Sequence, residues 1–162
     1  MKTKILDCTL RDGGYYTNWD FSSDVVKTYI ETTNKLPVDY LEVGYRNKPT
    51  KEYMGKFGYT PVSILKKLRK SSNKKLAVML NEKSTLPEDL DELLTPIKGL
   101  ADMVRLAVDP KNFERAVVLA KAVKAIGFEV AFNTMYMSKW STEYKGFLDN
   151  LSEINGVADL FC

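Results

Sequence analysis

The sequence predicts an α/β fold in which helices cover a parallel sheet. Short apolar, strand-like runs alternate with amphipathic helical stretches from one end of the chain to the other. The runs at 76–80 and 103–108 are continuously apolar, as strands buried on both faces are, rather than alternating. The βα unit recurs about every 30 residues, a length that suits both an open doubly wound sheet and a (β/α) barrel. Charged and polar residues gather at the carboxyl ends of the strands, and this favours the barrel, because a closing sheet turns all those ends onto one mouth.

The first strand is expected over 5–10. Helical spacing then puts Val25, Val26, Tyr29, Ile30 and Thr33 on one face, with Ser22 or Ser23 as the cap. After a second strand at 40–45, Thr60 and Pro61 read as cap and first position of a helix that buries Ile64, Leu65 and Leu68. A third strand at 76–80 leads to a helix that begins near Pro87, Glu88 and Asp89 and carries Leu90, Leu93, Leu94 and Ile97. The fourth strand is 103–108. Asp109 and Pro110 open the next helix, with Phe113, Ala116, Val117, Ala120 and Val123 on its apolar face and Gly127 as its stop. A fifth strand covers 129–135, a helix of weaker periodicity runs over 142–154 on Phe147, Leu148 and Leu151, and 159–162 begins a sixth strand.

With 162 residues, 44% hydrophobic and 28% charged, the chain fits one ordinary globular domain with a real core. Its net charge of +3 is spread thinly. The one dense basic stretch, Lys66, Lys67, Arg69 and Lys70 with Lys74 and Lys75 after it, suits the solvated face and C-terminal end of a helix; no aromatic residue is interleaved, so no nucleic-acid partner is expected. Cys8 and Cys162 lie at opposite ends in strand-like runs and read as reduced, packed thiols. No secretory leader and no membrane-length apolar run is evident, so a cytoplasmic location without membrane partners is expected. The chain has no histidine, which removes Ser-His-Asp and Cys-His catalysis and histidine metal sites from these residues.

The sharpest local signal is Leu6-Asp7-Cys8-Thr9-Leu10-Arg11-Asp12-Gly13-Gly14, an apolar strand expected to end on an arginine, an aspartate and a glycine turn. Arg11 can fork onto a carboxylate or polarise a carbonyl, and Asp12 is a hard oxygen ligand for a divalent cation; the same two residues would also suit a surface ion pair. Glu42 and Arg46 lie in or just after the second strand, Asn81 ends the third, Arg105 is in the fourth, and Asn133 and Tyr136 are at the fifth. Glu42 is either a buried structural carboxylate paired to Arg105 or Arg46, or part of a site. Asn81 and Asn133 are either satisfied turn amides or ligand contacts. Tyr15, Tyr16 and Trp19 either line a pocket or pack the first loop onto the rim.

Asp7-Cys8-Thr9-Leu10-Arg11-Asp12-Gly13 resembles the D-x-T-L-R-D-G motif of the DRE-TIM metallolyases, a superfamily that includes 4-hydroxy-2-oxovalerate aldolase, 3-hydroxy-3-methylglutaryl-CoA lyase and the isopropylmalate and homocitrate synthases. Leu41-Glu42-Val43-Gly44 is similar to the family's second strand, and Val104-Arg105-Leu106-Ala107 to the fourth strand of its aldolase branch. The resemblance implies a TIM (β/α)8-type barrel that binds Mn2+ or Mg2+, chelates a 2-oxo acid-type substrate and stabilises an enolate. Carried over by position, Asp12 would be the metal ligand and Arg11 the group that meets enolate charge. That Glu42 orients Arg11 is our own inference from the residues and no family assignment. Arg105, Asn81 and Asn133 would contact substrate.

Two departures from the family stand out. Its aldolases carry a histidine three residues after the metal-binding aspartate, where this chain has Tyr15; an unperturbed tyrosine titrates near 10, so it can donate or position but is a poor general base at neutral pH. The family's other metal ligands, a His-x-His pair on a later strand, have no counterpart, and a whole barrel takes about 250 residues. The expectation is therefore an incomplete barrel of about five βα units and a sixth strand, the N-terminal portion (1–162) of one aldolase-type domain. Its first and sixth strands would be open edges that invite a homo-oligomer. The expected function is a divalent-metal-dependent aldolase or lyase, with little activity in this chain alone. The alternatives are a non-catalytic fragment or oligomeric scaffold, and a Claisen-type acyl-CoA-dependent synthase.

Overall fold

In the computed structural model, which describes residues 3–161, all six strands pair in parallel and in sequence order, so each βα unit sets its strand beside the one before it. They are β1 (Leu6–Asp7), β2 (Tyr40–Tyr45), β3 (Lys75–Asn81), β4 (Met103–Val108), β5 (Glu129–Thr134) and β6 (Leu160–Phe161). The helices are α1 (Thr9–Thr17), α2 (Ser23–Thr33), α3 (Lys56–Tyr59), α4 (Val62–Ser71), α5 (Leu90–Leu94), α6 (Phe113–Ile126) and α7 (Lys145–Asp149).

Side chains alternate between two different environments. Leu41, Val43, Leu76, Val78, Leu80, Val104, Leu106, Val130 and Phe132 point outward into one large core against the helices, where Leu65, Leu94, Ala116, Ala120 and Val123 meet them. The inner face is layered. At the amino ends of the strands Glu129 pairs with Lys75 and accepts the Tyr40 hydroxyl at 2.9 Å. Above them Tyr40, Ala77, Met103 and Ala131 pack with Leu6 and Leu160 from the two outermost strands. Glu42 and Arg105 follow, and Tyr45, Met79 and Ala107 with Trp19 close the top. Both faces of the strands are thus covered, which explains their continuous apolar runs.

A device repeated at the amino ends of the strands fixes the register. Asp39, Asp102 and Asp159 each stand just before an even-numbered strand, and each clasps one residue at the start of the strand preceding it, Ile5 lying just ahead of β1. The Asp39 N–H donates to the Ile5 carbonyl at 2.8 Å while the Ile5 N–H donates to Asp39 Oδ2 at 2.9 Å. Asp102 does the same with Leu76 (2.8 and 2.7 Å), and Asp159 with Val130 (2.8 and 2.8 Å). Each carboxylate also holds a cation, Lys4, Arg69 and Lys124 respectively. Arg69 therefore belongs to strand register and not to a free basic patch.

Several predicted boundaries move. The first strand is two residues long, because Asp7 Oδ1 takes the Thr9 N–H at 2.9 Å and the chain turns at once into α1. Arg11, Asp12, Gly13 and Gly14 are accordingly helical and not a strand end followed by a glycine turn. Cys8 precedes that helix, half-buried, instead of packing inside a strand; Cys162 lies outside the described residues. Pro61 and not Thr60 precedes α4, since Thr60 closes the unpredicted α3 with a left-handed φ of 41°. The third predicted helix is α5 flanked by 3-10 turns, Pro87–Asp89 before it and Thr95–Ile97 after it, and the last is α7 followed by the turn Leu151–Ile154. The Ser22 cap on Val25 N–H and the Gly127 stop, with φ 107°, stand as expected.

Candidate active site

Five of the polar residues singled out in the sequence form one connected chain along the inner face. Glu42, fully buried on β2, accepts from Arg11 Nε at 2.6 Å and from Arg105 Nη1 at 3.1 and 3.2 Å. Arg105 continues to Asn133 Oδ1 through Nη2 at 2.8 Å, and Arg11 Nη1 pairs with Asp12. The buried Glu42 carboxylate is paired to two guanidiniums, and Asp12 meets Arg11 from the open side, so the buried charges are compensated. Burial works against the charge on Arg11, but its bonds to Glu42 and the nearness of Asp12 outweigh it, so the pKa of Arg11 is raised.

Helix α1 puts Arg11 and Asp12 there, since its first turn rises from the carboxyl end of β1. Asp12 is the open end of the chain: its side chain is 53% exposed against 9% for Arg11. The Cys8 thiol donates to Asp12 Oδ2 at 3.0 Å, and burial together with that carboxylate raises the thiol pKa to about 11, so it remains a protonated donor.

An aromatic group closes the mouth beside Arg11. The hydroxyls of Tyr15 on α1 and Tyr45 at the end of β2 are 2.8 Å apart, and Trp19 packs edge-on against both rings. Trp19 Nε1–H donates to the Arg11 carbonyl at 2.9 Å. Gly14 is what lets the indole lie there, because a Cβ on it would sit 2.0 Å from Trp19 Cδ1. A register shift between Glu42 and Gly44 turns β2, and Gly44 admits the Phe57 carbonyl of α3 within 2.1 Å of where a Cβ would be.

Of the residues singled out in the sequence, Arg11, Asp12, Glu42, Arg105 and Asn133 are in one connected group, and Tyr15 stands at its edge. Asn81 is not in that group. Its N–H donates to Asn47 Oδ1 at 3.1 Å, and it lines a neighbouring cleft of about 450 Å³ with Glu82, Ala107, Asp109 and Tyr136. Arg46 does not pair with Glu42. It donates to the Leu93 and Tyr59 carbonyls at 2.6 and 3.3 Å, tying β2 to the helices outside the sheet. Tyr16, 94% exposed, neither lines a pocket nor packs, whereas Trp19 packs. Tyr45 is the member missed in the sequence; three residues beyond Glu42, regular alternation would put it on the opposite face, and only the register shift brings it to the same one.

For a divalent ion the described residues supply one suitable ligand, the exposed carboxylate of Asp12. Glu42 is held by two guanidiniums, and among the described residues no group of three His, Cys, Asp or Glu side chains is arranged to hold an ion. Asp12 fits such an ion as a single hard ligand, and a complete site needs more.

The crystal structure of the N-terminal domain of a "putative aldolase" from Bacteroides vulgatus superposes on this chain with a TM-score of 0.95 and 69% identity, over 99% of this chain and 53% of that one. The fold is the one that domain has. The chain spans about half the length of that solved structure. No family model matches, and no curated protein does.

Proposed function

We propose that the chain forms the ligand-facing part of an aldolase-type carbon-carbon lyase of the DRE-TIM metallolyase kind, acting on a 2-oxo acid-type substrate through an enolate with Mn2+ or Mg2+. The observation that carries this reading is the clamped Arg11, fixed by buried Glu42 on one side and joined to an accessible Asp12 on the other. The 69% identity to the N-terminal domain of the "putative aldolase" supports it.

The residues act through preorganisation. Breaking a carbon-carbon bond beside a carbonyl leaves negative charge on oxygen, and a guanidinium already oriented meets that charge without reorganising. Glu42 supplies the orientation, and Arg105 with Asn133 keeps Glu42 from turning away. Asp12 would be one ligand of the metal, which when bound would act as a Lewis acid on the substrate carbonyl. Tyr15, at the edge of the group, would deliver a proton, and Asn81 would contact the far part of the substrate from the neighbouring cleft.

A screen of 2-oxo acid aldols with divalent metal, run on the whole protein, tests the reading. Turnover is expected, with Arg11→Lys and Glu42→Gln each lowering kcat by at least about tenfold, as loss of a preorganised donor does. Turnover that requires acetyl-CoA, or none with any aldol, overturns it. The 162 residues alone are expected to turn over poorly, because one carboxylate binds a metal weakly.

A further inference from the structure

Independent constraints converge on the hydroxyl pair beside Arg11. The Tyr15 and Tyr45 oxygens are 2.8 Å apart. Trp19 braces both rings, with centroids 4.8 Å from Tyr15 and 5.6 Å from Tyr45. To bring the indole there the backbone takes left-handed φ values of 50° at Asn18 and 57° at Trp19, a conformation that consecutive non-glycine residues keep only where their surroundings enforce it. The indole N–H bond to the Arg11 carbonyl and the missing Cβ of Gly14 enforce it here.

The two hydroxyls are not equivalent. Tyr45 is 5% exposed and Tyr15 is 62% exposed. A single bond between them uses a single proton, and the buried partner has the poorer access to another acceptor, so Tyr45 donates and Tyr15 accepts. The proton of Tyr15 is then left to the open side of the mouth.

We propose that Tyr45 is a positioning residue for the reaction inferred above, holding the Tyr15 oxygen by a donated hydrogen bond so that Tyr15 protonates an oxyanion at the mouth. The identity of that oxyanion rests on the aldolase reading; the pair itself does not. In the step, the Tyr15 O–H bond breaks, an O–H bond forms on the ligand, and the negative charge passes to the Tyr15 oxygen. The Tyr45 O–H, which keeps its proton, donates to that charge. Water then reprotonates Tyr15 from the exposed side. The charged group facing the pair is Arg11, whose guanidinium carbon is 6.0 Å from the Tyr45 ring centroid, with Asp12 and Glu42 reaching the pair through it. Burial, and then the contact with Tyr15, raise the pKa of Tyr45 despite Arg11, so Tyr45 keeps its proton.

Tyrosine carrying 13C at Cζ reports the ionisation of the pair as a unit. The resonances are assigned by their loss in Tyr15→Phe and Tyr45→Phe, both of which keep the ring that Trp19 packs on. In Tyr45→Phe the first ionisation of the pair is expected about one pH unit higher, tenfold in the constant, because the new phenolate loses its donor. In Tyr15→Phe the ionisation of Tyr45 is expected to move down. Unchanged midpoints in either variant overturn the proposal. Shifted midpoints without turnover in the aldol screen overturn the aldolase reading and uphold the pair, whereas turnover with unshifted midpoints overturns the pair alone. Where turnover is found, Tyr45→Phe is expected to lower kcat with KM unchanged.

Discussion

A Cβ built on Gly14 would lie 2.0 Å from Trp19 Cδ1, 2.1 Å from Nε1 and 2.4 Å from Cγ, so an alanine there has to displace the indole. Trp19 is held on several sides, so the displacement carries the cost of an overpacked site, about 1–3 kcal/mol. Urea denaturation of Gly14→Ala is expected to show that loss, with altered tryptophan emission; wild-type stability and emission would mean that the indole is loosely held. Glu82 poses a different test. It is fully buried in the turn after β3, Asn112 donates to its Oε2 at 3.2 Å, and Arg115 Nε is 3.1 Å from its Oε1. Burial raises its pKa more than Asn112 and Arg115 lower it. A carboxyl with a raised pKa is held more tightly as the acid in the folded state. Its ionisation therefore costs nothing below the unfolded carboxylate range and an increasing amount as pH rises through the folded value. Glu82→Gln escapes that cost, so its stability relative to wild type is expected to rise as pH climbs from the unfolded carboxylate range through the raised folded value. A difference independent of pH in urea melts would show that Arg115 compensates the charge fully.

At the scale of elements, the clasps of Asp39, Asp102 and Asp159 explain how short strands hold their register. Each carboxylate takes the N–H of a residue at the start of the ladder, and each aspartate N–H returns a bond to the same residue. Asp102→Ala would remove the acceptor of the Leu76 N–H and strip Arg69 of its carboxylate, leaving it the Ser72 and Lys74 carbonyls, a loss of about 1–3 kcal/mol. Asp102→Asn keeps an acceptor and is expected to lose less. Amide exchange at Leu76 checks the assignment: faster exchange in Asp102→Ala is expected, and unchanged exchange would remove the clasp from the account. The pattern can be read in the sequence as an apolar-Asp-apolar triplet, Val38-Asp39-Tyr40, Ala101-Asp102-Met103 and Ala158-Asp159-Leu160, at the start of alternate strands. Its regularity becomes apparent only once the strands are known to be parallel neighbours.

For the molecule as a whole, the sheet ends at β1 and β6, each paired along one side over two residues. Ile5 beside the first and Phe161 on the second are 48% and 39% exposed. Open strand edges with apolar side chains recruit other chains, and on that ground this chain is proposed to self-associate through them. Sedimentation velocity is expected to show concentration-dependent association that Phe161→Lys weakens; a monodisperse monomer at all concentrations would refute it. No helix among the described residues is long and apolar enough to cross a membrane.

The sequence by itself determined the βα alternation, the parallel sheet and the residues gathered at the strand ends, because periodicity and apolar runs are local records of which faces are covered. It did not show that Arg11 and Asp12 ride on a helix, for Asp7 ends the first strand through a side-chain bond that no periodicity encodes. Nor did it choose between Arg46 and Arg105 as the partner of Glu42. That depended on side-chain direction across three strands and on the shift at Gly44, which turned Arg46 outward to the Leu93 carbonyl and left Arg105 facing in. Tyr45 joined the mouth for the same reason: which distant side chains share a face is decided by strand register and curl, and those exist only in the folded sheet.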